Sequence, residues 1–329
     1  YEVKEGVASA ESELVIIEWP TGGHNGGCLG FGEDGFLYIS AGDGSGIADE
    51  VHTGQDVTDL LGCIMRVDVD AKSDGKNYAI PADNPFADSQ DARPEIYSFG
   101  HRQIWKFSHD RQTGLMWGGE VGQDLWEMVY TIKKGGNYGW SVMEGSHPFR
   151  PERERHATLI EKPIVEHNHN DFRSITGGYV YYGDRLKELE EHYIYGDFDT
   201  GKIWSFKYDS GKVHSWSELA DTSIRLVSFL EQSDGEILLV DYASGLLHEL
   251  VKAPPVTEVN DFPTLLSETG IFRDTAKLLP EDGVLSYSVN SPLWSDHATK
   301  FRHLAIPGKG TIDFDDVLYP ETPPAAPPG

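Results

Sequence analysis

Short hydrophobic runs punctuated by Gly, Asp and Pro dominate the chain, and helical periodicity is scarce. Runs of this kind, rich in aromatic and β-branched residues and bounded by turn formers, are strand signals. They predict strands at Leu14–Glu18, Phe36–Ser40, Cys63–Val69, Glu95–Phe99, Leu115–Gly118 and Trp126–Ile132. Further strands are expected at Gly178–Tyr182, Tyr193–Tyr195, Lys202–Phe206, Ile224–Phe229, Ile237–Val240 and Leu246–Val251. A single turn of helix is expected over Glu188–His192, and residues 70–95, rich in Asp, Asn and Pro, read as a long excursion from the core.

The pattern repeats loosely. FGEDGFLYISAGD (31–43), FSHDRQTGLMWGGEVG (107–122) and FLEQSDGEILLVDYASG (229–245) share an aromatic, an Asp/Gly turn, a hydrophobic strand and a second Gly/Asp turn. Antiparallel units echoing at about 40–50 residues are the signature of a β-propeller. A sandwich would supply as many short strands without the echo. The predicted fold is therefore all-β, a propeller of which about four blades fit before Val251. Residues 1–251 form the propeller and 252–329 a linker and the beginning of a second module, opening at Pro254-Pro255 and closing on the proline-rich YPETPPAAPPG.

Composition narrows the function classes. A formal charge of −27 repels phosphates and argues against nucleic acid; it suits a soluble acidic surface or one that attracts divalent cations. No stretch approaches the roughly 18 uninterrupted apolar residues of a membrane span. Cys28 and Cys63 permit one disulfide without demanding it, and no C-x-x-C-H haem signature or secretory signal peptide is visible.

The candidate chemistry centres on TGGHNGGCLGFGEDGFLYISAGDGSG (21–46). Its glycines allow close approach of backbone to a ligand. An imidazole held by a carboxylate, here His24 with Asp43, is the usual construction of a general base. HNGG alone is also readable as a tight turn whose histidine caps a loop. His167 and His169 in EHNHND read either as an alternating metal pair or, preferably, as a polar loop rim. DVDAKSDG (68–75) has Lys72 at a ligand position of a calcium loop and no closing Glu, so it reads as a plain loop. Trp105, Trp117, Trp126, Trp140 and Trp204 read as packing aromatics, with Trp105 also placed to line a mouth.

Seven motifs in order carry a resemblance: GGHNGG…FGEDGFLYISAGDG (22–44), YAIPADNPF (78–86), PEIYSFGHRQ (94–103), GGEVGQDLWE (118–127), KGGNYGW (134–140), SITGGYVYYG (174–183) and GDFDTGKIW (196–204). The chain resembles the glucose/sorbosone dehydrogenase family, six-bladed propellers that carry pyrroloquinoline quinone (PQQ) with calcium and oxidise sugars and other alcohols. The resemblance covers about residues 14–250 and implies about two further blades upstream of HNGG. It implies that His24 is the general base, that Asp43 orients it and that Arg102 contacts the quinone oxygens. Asn25, Gln103, Thr176 and Arg225 fall at cofactor-binding positions, Arg225 facing a PQQ carboxylate. The backbone carbonyls of Gly122 and Gln123 match those that bind calcium. Gln103 stands where the family has asparagine, Ile104 where it has proline, and Asp199 near a cofactor-binding lysine, where an acid would oppose PQQ's carboxylates.

The resemblance further implies a sugar or alcohol substrate, an electron acceptor such as a c-type cytochrome, and a periplasmic or extracellular location. Two other functions compete: a cofactor-free binding propeller, and a calcium-dependent hydrolase of the lactonase type. The hydrolase needs carboxylate or Asn ligands converging on a central channel, whereas these motifs offer carbonyls.

Overall fold

In the computed structural model, which describes residues 1–20, 22–73, 75–253, 263–289 and 300–306, the predicted runs assemble into four antiparallel sheets. The first sheet is Leu29–Phe31, Leu37–Ala41, Cys63–Val67 and Ile96–Phe99, in that spatial order. The second runs Ile104–His109, Met116–Glu120, Trp126–Ile132 and Val165–Asn168; the third runs Ile175–Val180, His192–Asp197, Lys202–Asp209 and Lys212–Asp221. The fourth has Leu226–Glu231, Ile237–Asp241 and Leu247–Glu249. Each is a meander, and the first strands of successive sheets lie against one another as propeller blades do.

Burial explains why the strands stack this way. Cys63–Val67 is buried along its whole length, as a central strand covered on both faces must be. Tyr38 and Ile64 pack with Ile104, Phe107 and Tyr130 between the first and second sheets. Trp117 and Val129 pack with Tyr193, Tyr195 and Phe206 between the second and third, and Ile194 and Ile203 with Leu226 and Leu239 between the third and fourth. Three hydroxyls lace successive sheets together: Ser40 Oγ donates to Ile104 O at 3.0 Å, Ser108 Oγ to Gly178 O at 2.8 Å, and Thr176 Oγ1 to Leu226 O. Glycine is required where the second and third sheets meet most closely. A Cβ on Gly119 would lie 2.6 Å from Gly177 Cα, and Gly177 itself has φ +99°.

The chain divides into two units, Tyr1–Ala253 and Pro254–Gly329. In the second, Phe272–Asp274 pairs with Leu279–Pro280 and Leu285–Ser286 with His303–Leu304. Pro254-Pro255 and the proline-rich end lie outside the described residues.

Several local expectations are corrected. Leu14–Glu18 is not a strand: Ile16, Ile17 and Trp19 pack as irregular chain against the first sheet's core. The expected helical turn is a 3₁₀ turn at Lys187–Leu189, and His192 already opens a strand. Ile104–His109 and Lys212–Asp221 are strands that hydropathy alone does not reveal. The latter is a polar edge strand, in which charge guards an unpaired ladder.

Candidate active site

The site is built where the loops ahead of the first two sheets meet. Gly23 N donates to Gly44 O at 2.7 Å and His24 N to Ser45 O at 3.0 Å, so the HNGG loop is laced to the GDGS turn. A Cβ on Gly22 would fall 2.0 Å from Gly44 O, and one on Gly23 2.3 Å from Ser45 O. Only glycine permits that approach. Asn25 Oδ1 accepts the Gly22 N–H at 3.1 Å, closing the turn before the loop.

This lacing brings His24 and Asp43 together, with Nδ1 2.6 Å from Oδ1. Asp43 is fully buried. It also accepts the Ser45 N–H at 2.9 Å and the Trp140 Nε1–H at 2.7 Å. On the other side of the ring, Arg102 Nη2 lies 3.0 Å from His24 Nε2. A guanidinium can only donate, so Nε2 accepts and the imidazole proton sits on Nδ1, shared with Asp43. The ring is thereby held in the tautomer a general base needs, with its lone pair covered by Arg102.

Arg102 is 7% exposed, and burial pushes its guanidinium below its ordinary range against the opposing pull of Asp43, Glu127, Glu120 and Glu144. It further donates to Val121 O at 3.1 Å and Gln123 Oε1 at 3.3 Å, and lies 5.8 Å from the Trp140 ring. A buried relay fixes its backbone. The Arg102 N–H donates to Glu120 Oε1 at 2.7 Å, Glu120 Oε2 lies 3.1 Å from His101 Nδ1, and His101 Nε2 lies 3.0 Å from Ser98 Oγ. Sequence reasoning passed over Glu120, His101 and Trp140 as site residues. All three stood inside quoted motifs, and Trp140 is not merely a packing aromatic.

Gln103 is turned toward the loop, its amide donating to Gly26 O. Beside it, Trp105 closes over Gly26 and donates through Nε1 to Val227 O at 3.0 Å. Trp105 also walls an apolar slot of about 280 Å³ with Thr176, Phe198, Val227 and Tyr242. Arg225 lies 5.6 Å from the Phe198 ring and is ion-paired to Asp199, which also meets Arg173 at 3.4 Å. Asp199 is thus neutralised by two arginines, not an isolated repelling charge. At Gly122 and Gln123, the N–H groups of Gln123 and Asp124 each donate to Glu144 Oε1 at 2.7 Å. Among the described residues, no hydrogen bond ends on the Gly122 or Gln123 carbonyl.

The histidines of EHNHND part company. His167 is buried, stacked on Phe172 at 4.1 Å and 2.7 Å from Tyr195 OH, and burial pushes its ring down to about 4. It is a neutral core residue, not part of a polar rim. His169 instead meets the buried Glu127 at 3.1 Å, and Glu127 accepts the Ile175 N–H at 2.8 Å. Among the described residues, no group of three or more His, Cys, Asp or Glu is placed to hold a metal.

Burial raises the Glu127 carboxyl from an ordinary 4.5 to about 7, against the pull of His169 and the Ile175 N–H. The folded state therefore holds this proton across a range in which the unfolded chain releases it, and the group's contribution to stability falls as pH rises from about 4.5 to 7. Glu127→Gln should remove that slope: the melting temperature of the variant gains on the wild type as pH rises through this window, read by calorimetry at several pH values.

Residues 8–248 match the family model for glucose/sorbosone dehydrogenase. The chain is 38% identical over 214 residues to the HIPL1 protein of Arabidopsis thaliana, covering 58% of this chain and 31% of that protein, so it spans about a third of the relative's length. Among solved structures it is similar to a glucose dehydrogenase (25% identity, TM-score 0.57, 70% of this chain and 65% of that one). It also shares its fold with the PQQ-bound aldose sugar dehydrogenase of Streptomyces coelicolor (22% identity, TM-score 0.53, 72% and 60%). Among the described residues, no helix is long and apolar enough to cross a membrane. The chain belongs to the glucose/sorbosone dehydrogenase family.

Proposed function

We propose that this chain carries the base and cofactor-binding machinery of a PQQ- and calcium-dependent dehydrogenase of sugars or related alcohols. The observation that carries this reading is the Asp43–His24–Arg102 chain, an oriented imidazole whose unprotonated nitrogen accepts from a buried guanidinium. The residues fit an anionic planar quinone: Arg102 and Arg225 are planar bidentate donors, and the aromatic-walled slot beside Arg225 suits a flat ring. Thr176 and the slot wall would flank that ring, with Asn25 and Gln103 shaping the loop against it. The Gly122 and Gln123 carbonyls, free of hydrogen bonds among the described residues, are the oxygen donors calcium prefers.

Bound there, PQQ would supply a two-electron acceptor for the hydride of an alcohol carbon. His24 takes the hydroxyl proton at Nε2. Because Arg102 Nη2 covers that lone pair, the guanidinium must release it before the substrate hydroxyl can donate into it. Asp43 then holds the imidazolium through Nδ1–H.

The four sheets belong, on this reading, to a six-bladed ring. Leu29 and Phe31, on the inner strand of the first sheet, are 69% and 62% exposed, as an uncovered blade face would be. Residues 252–329 are the linker and the start of a second module. A c-type cytochrome or similar acceptor and a periplasmic or extracellular site go with this chemistry.

Adding PQQ with Ca²⁺ should raise the melting temperature by about 5–10 °C at roughly a hundredfold excess over Kd, with dye reduction in the presence of sugar and loss of both on chelation. An unchanged melting point at saturation sinks the proposal and favours a cofactor-free binding propeller. That second reading draws on the pairing of Arg225 and Arg173 with Asp199, which leaves both guanidinium groups already satisfied by a carboxylate.

A further inference from the structure

A different cavity lies at the far ends of the same strands. Ile104–His109 begins two residues after Arg102 and ends one residue before Asp110, so six residues at about 3.3 Å each separate the two ends by about 20 Å. Between the second and third sheets at that end is a space of about 330 Å³, at the small end of the roughly 300–1,000 Å³ range of ligand pockets.

Its walls are aromatic. Trp117, Tyr182, Tyr193 and Tyr208 line it, with Trp117 stacked on Tyr193 at 4.9 Å and meeting Tyr208 edge-on at 5.5 Å. Trp117 is 2% exposed, and its Nε1–H has no hydrogen-bond partner among the described residues. A buried donor of that kind is ordinarily satisfied, and here it belongs to a residue that lines a cavity.

The polar lining is arranged as if in advance. Asp110 accepts the Tyr182 hydroxyl at 2.7 Å and the Gln112 N–H at 3.0 Å, which fixes both the ring and the hairpin. Glu191 is paired to Lys207 and Asp209 Oδ1 accepts the Ser210 hydroxyl at 3.1 Å, leaving the second oxygen of each carboxylate and the Gln112 amide at the lining. Three carboxylates against one paired ammonium disfavour an anionic ligand. The half-buried Tyr182 and Tyr208 rings, set beside carboxylate and amide groups, match a molecule with one apolar face and a ring of hydroxyls.

We propose that this cavity binds a neutral mono- or disaccharide at a site separate from the end that carries His24. The inference is independent of the proposed redox chemistry and needs neither PQQ nor calcium. The test is titration of this chain with maltose and with glucose, followed by calorimetry. Saturable binding is expected, weakened about fivefold or more by Gln112→Ala combined with Asp209→Asn, since each lost hydrogen bond weakens binding severalfold. The melting temperature should not move in that variant, and His24→Asn should bind as the wild type does. Absence of saturable binding by either sugar up to about 50 mM, well beyond millimolar affinity, overturns the proposal. So does binding that ignores the cavity variant, and so does binding lost in His24→Asn.

Discussion

Replacing His24 with asparagine should lower kcat of the PQQ- and calcium-loaded protein by about 10³-fold, within the range a positioned general base contributes, while the melting temperature stays close to that of the wild type. The ring is 19% exposed and sits on a loop held by backbone hydrogen bonds from residues 23 and 24, which the substitution does not touch. Asparagine retains a polar group beside Asp43 but has no basic nitrogen to take a hydroxyl proton. Stopped-flow dye reduction separates the two possibilities for the residue. A base removes the proton in the chemical step, so single-turnover reduction slows as much as kcat; a residue that only shapes the loop would raise KM and leave that rate alone. Turnover within about tenfold of wild type would end the assignment.

Asp43→Asn should damage both activity and stability. Asp43 accepts from three donors, the His24 Nδ1–H, the Ser45 N–H and the Trp140 Nε1–H. An amide offers one oxygen and two donors, so at least one of those contacts becomes donor against donor. If the amide N–H faces the imidazole, Nδ1 must accept and the ring proton moves to Nε2, against the Arg102 guanidinium. The base is then in the wrong tautomer, and kcat should fall by about 10²–10⁴-fold, the scale such a tautomer error produces in histidine-based sites. Arg102, 7% exposed, also loses the carboxylate that pulls on it most strongly. Stripping one partner from a buried charge cluster costs about 3 kcal/mol or more, which for a domain of this size lowers the melting temperature by about 6–12 °C. Scanning calorimetry beside steady-state kinetics checks both; a variant that melts with the wild type would show that the carboxylate is dispensable to the cluster.

Much of the frame was legible along the chain because it rests on local chemistry. The Phe36–Ser40 expectation lies one residue from the strand Leu37–Ala41, and Trp126–Ile132 was read to its limits, since alternating aromatic and branched residues fit a pleated sheet buried on both sides. Strands whose signal is polar or interrupted were not read. Lys212–Asp221 faces water as an edge, and Ile104–His109 mixes Lys and Ser with its aromatics because Ser108 is spent on a bond to the next sheet. Leu14–Glu18 failed in the opposite sense, being apolar enough for a strand yet packed as irregular chain without a pairing partner.

The site divides along the same line. The sequence alone singled out the residues proposed to carry the chemistry: a histidine among glycines, an aspartate closing the following strand and two arginines scarce on an acidic chain are compositional facts. Tertiary structure alone decided how they act on one another. It set the tautomer of His24 through Arg102, recruited Trp140 and the Ser98–His101–Glu120 relay, sent His167 into the core and paired Asp199 with two arginines. The physical reason is that a side chain's type is written locally, whereas its burial and its partners depend on which distant backbone the sheets bring within about 3 Å of it.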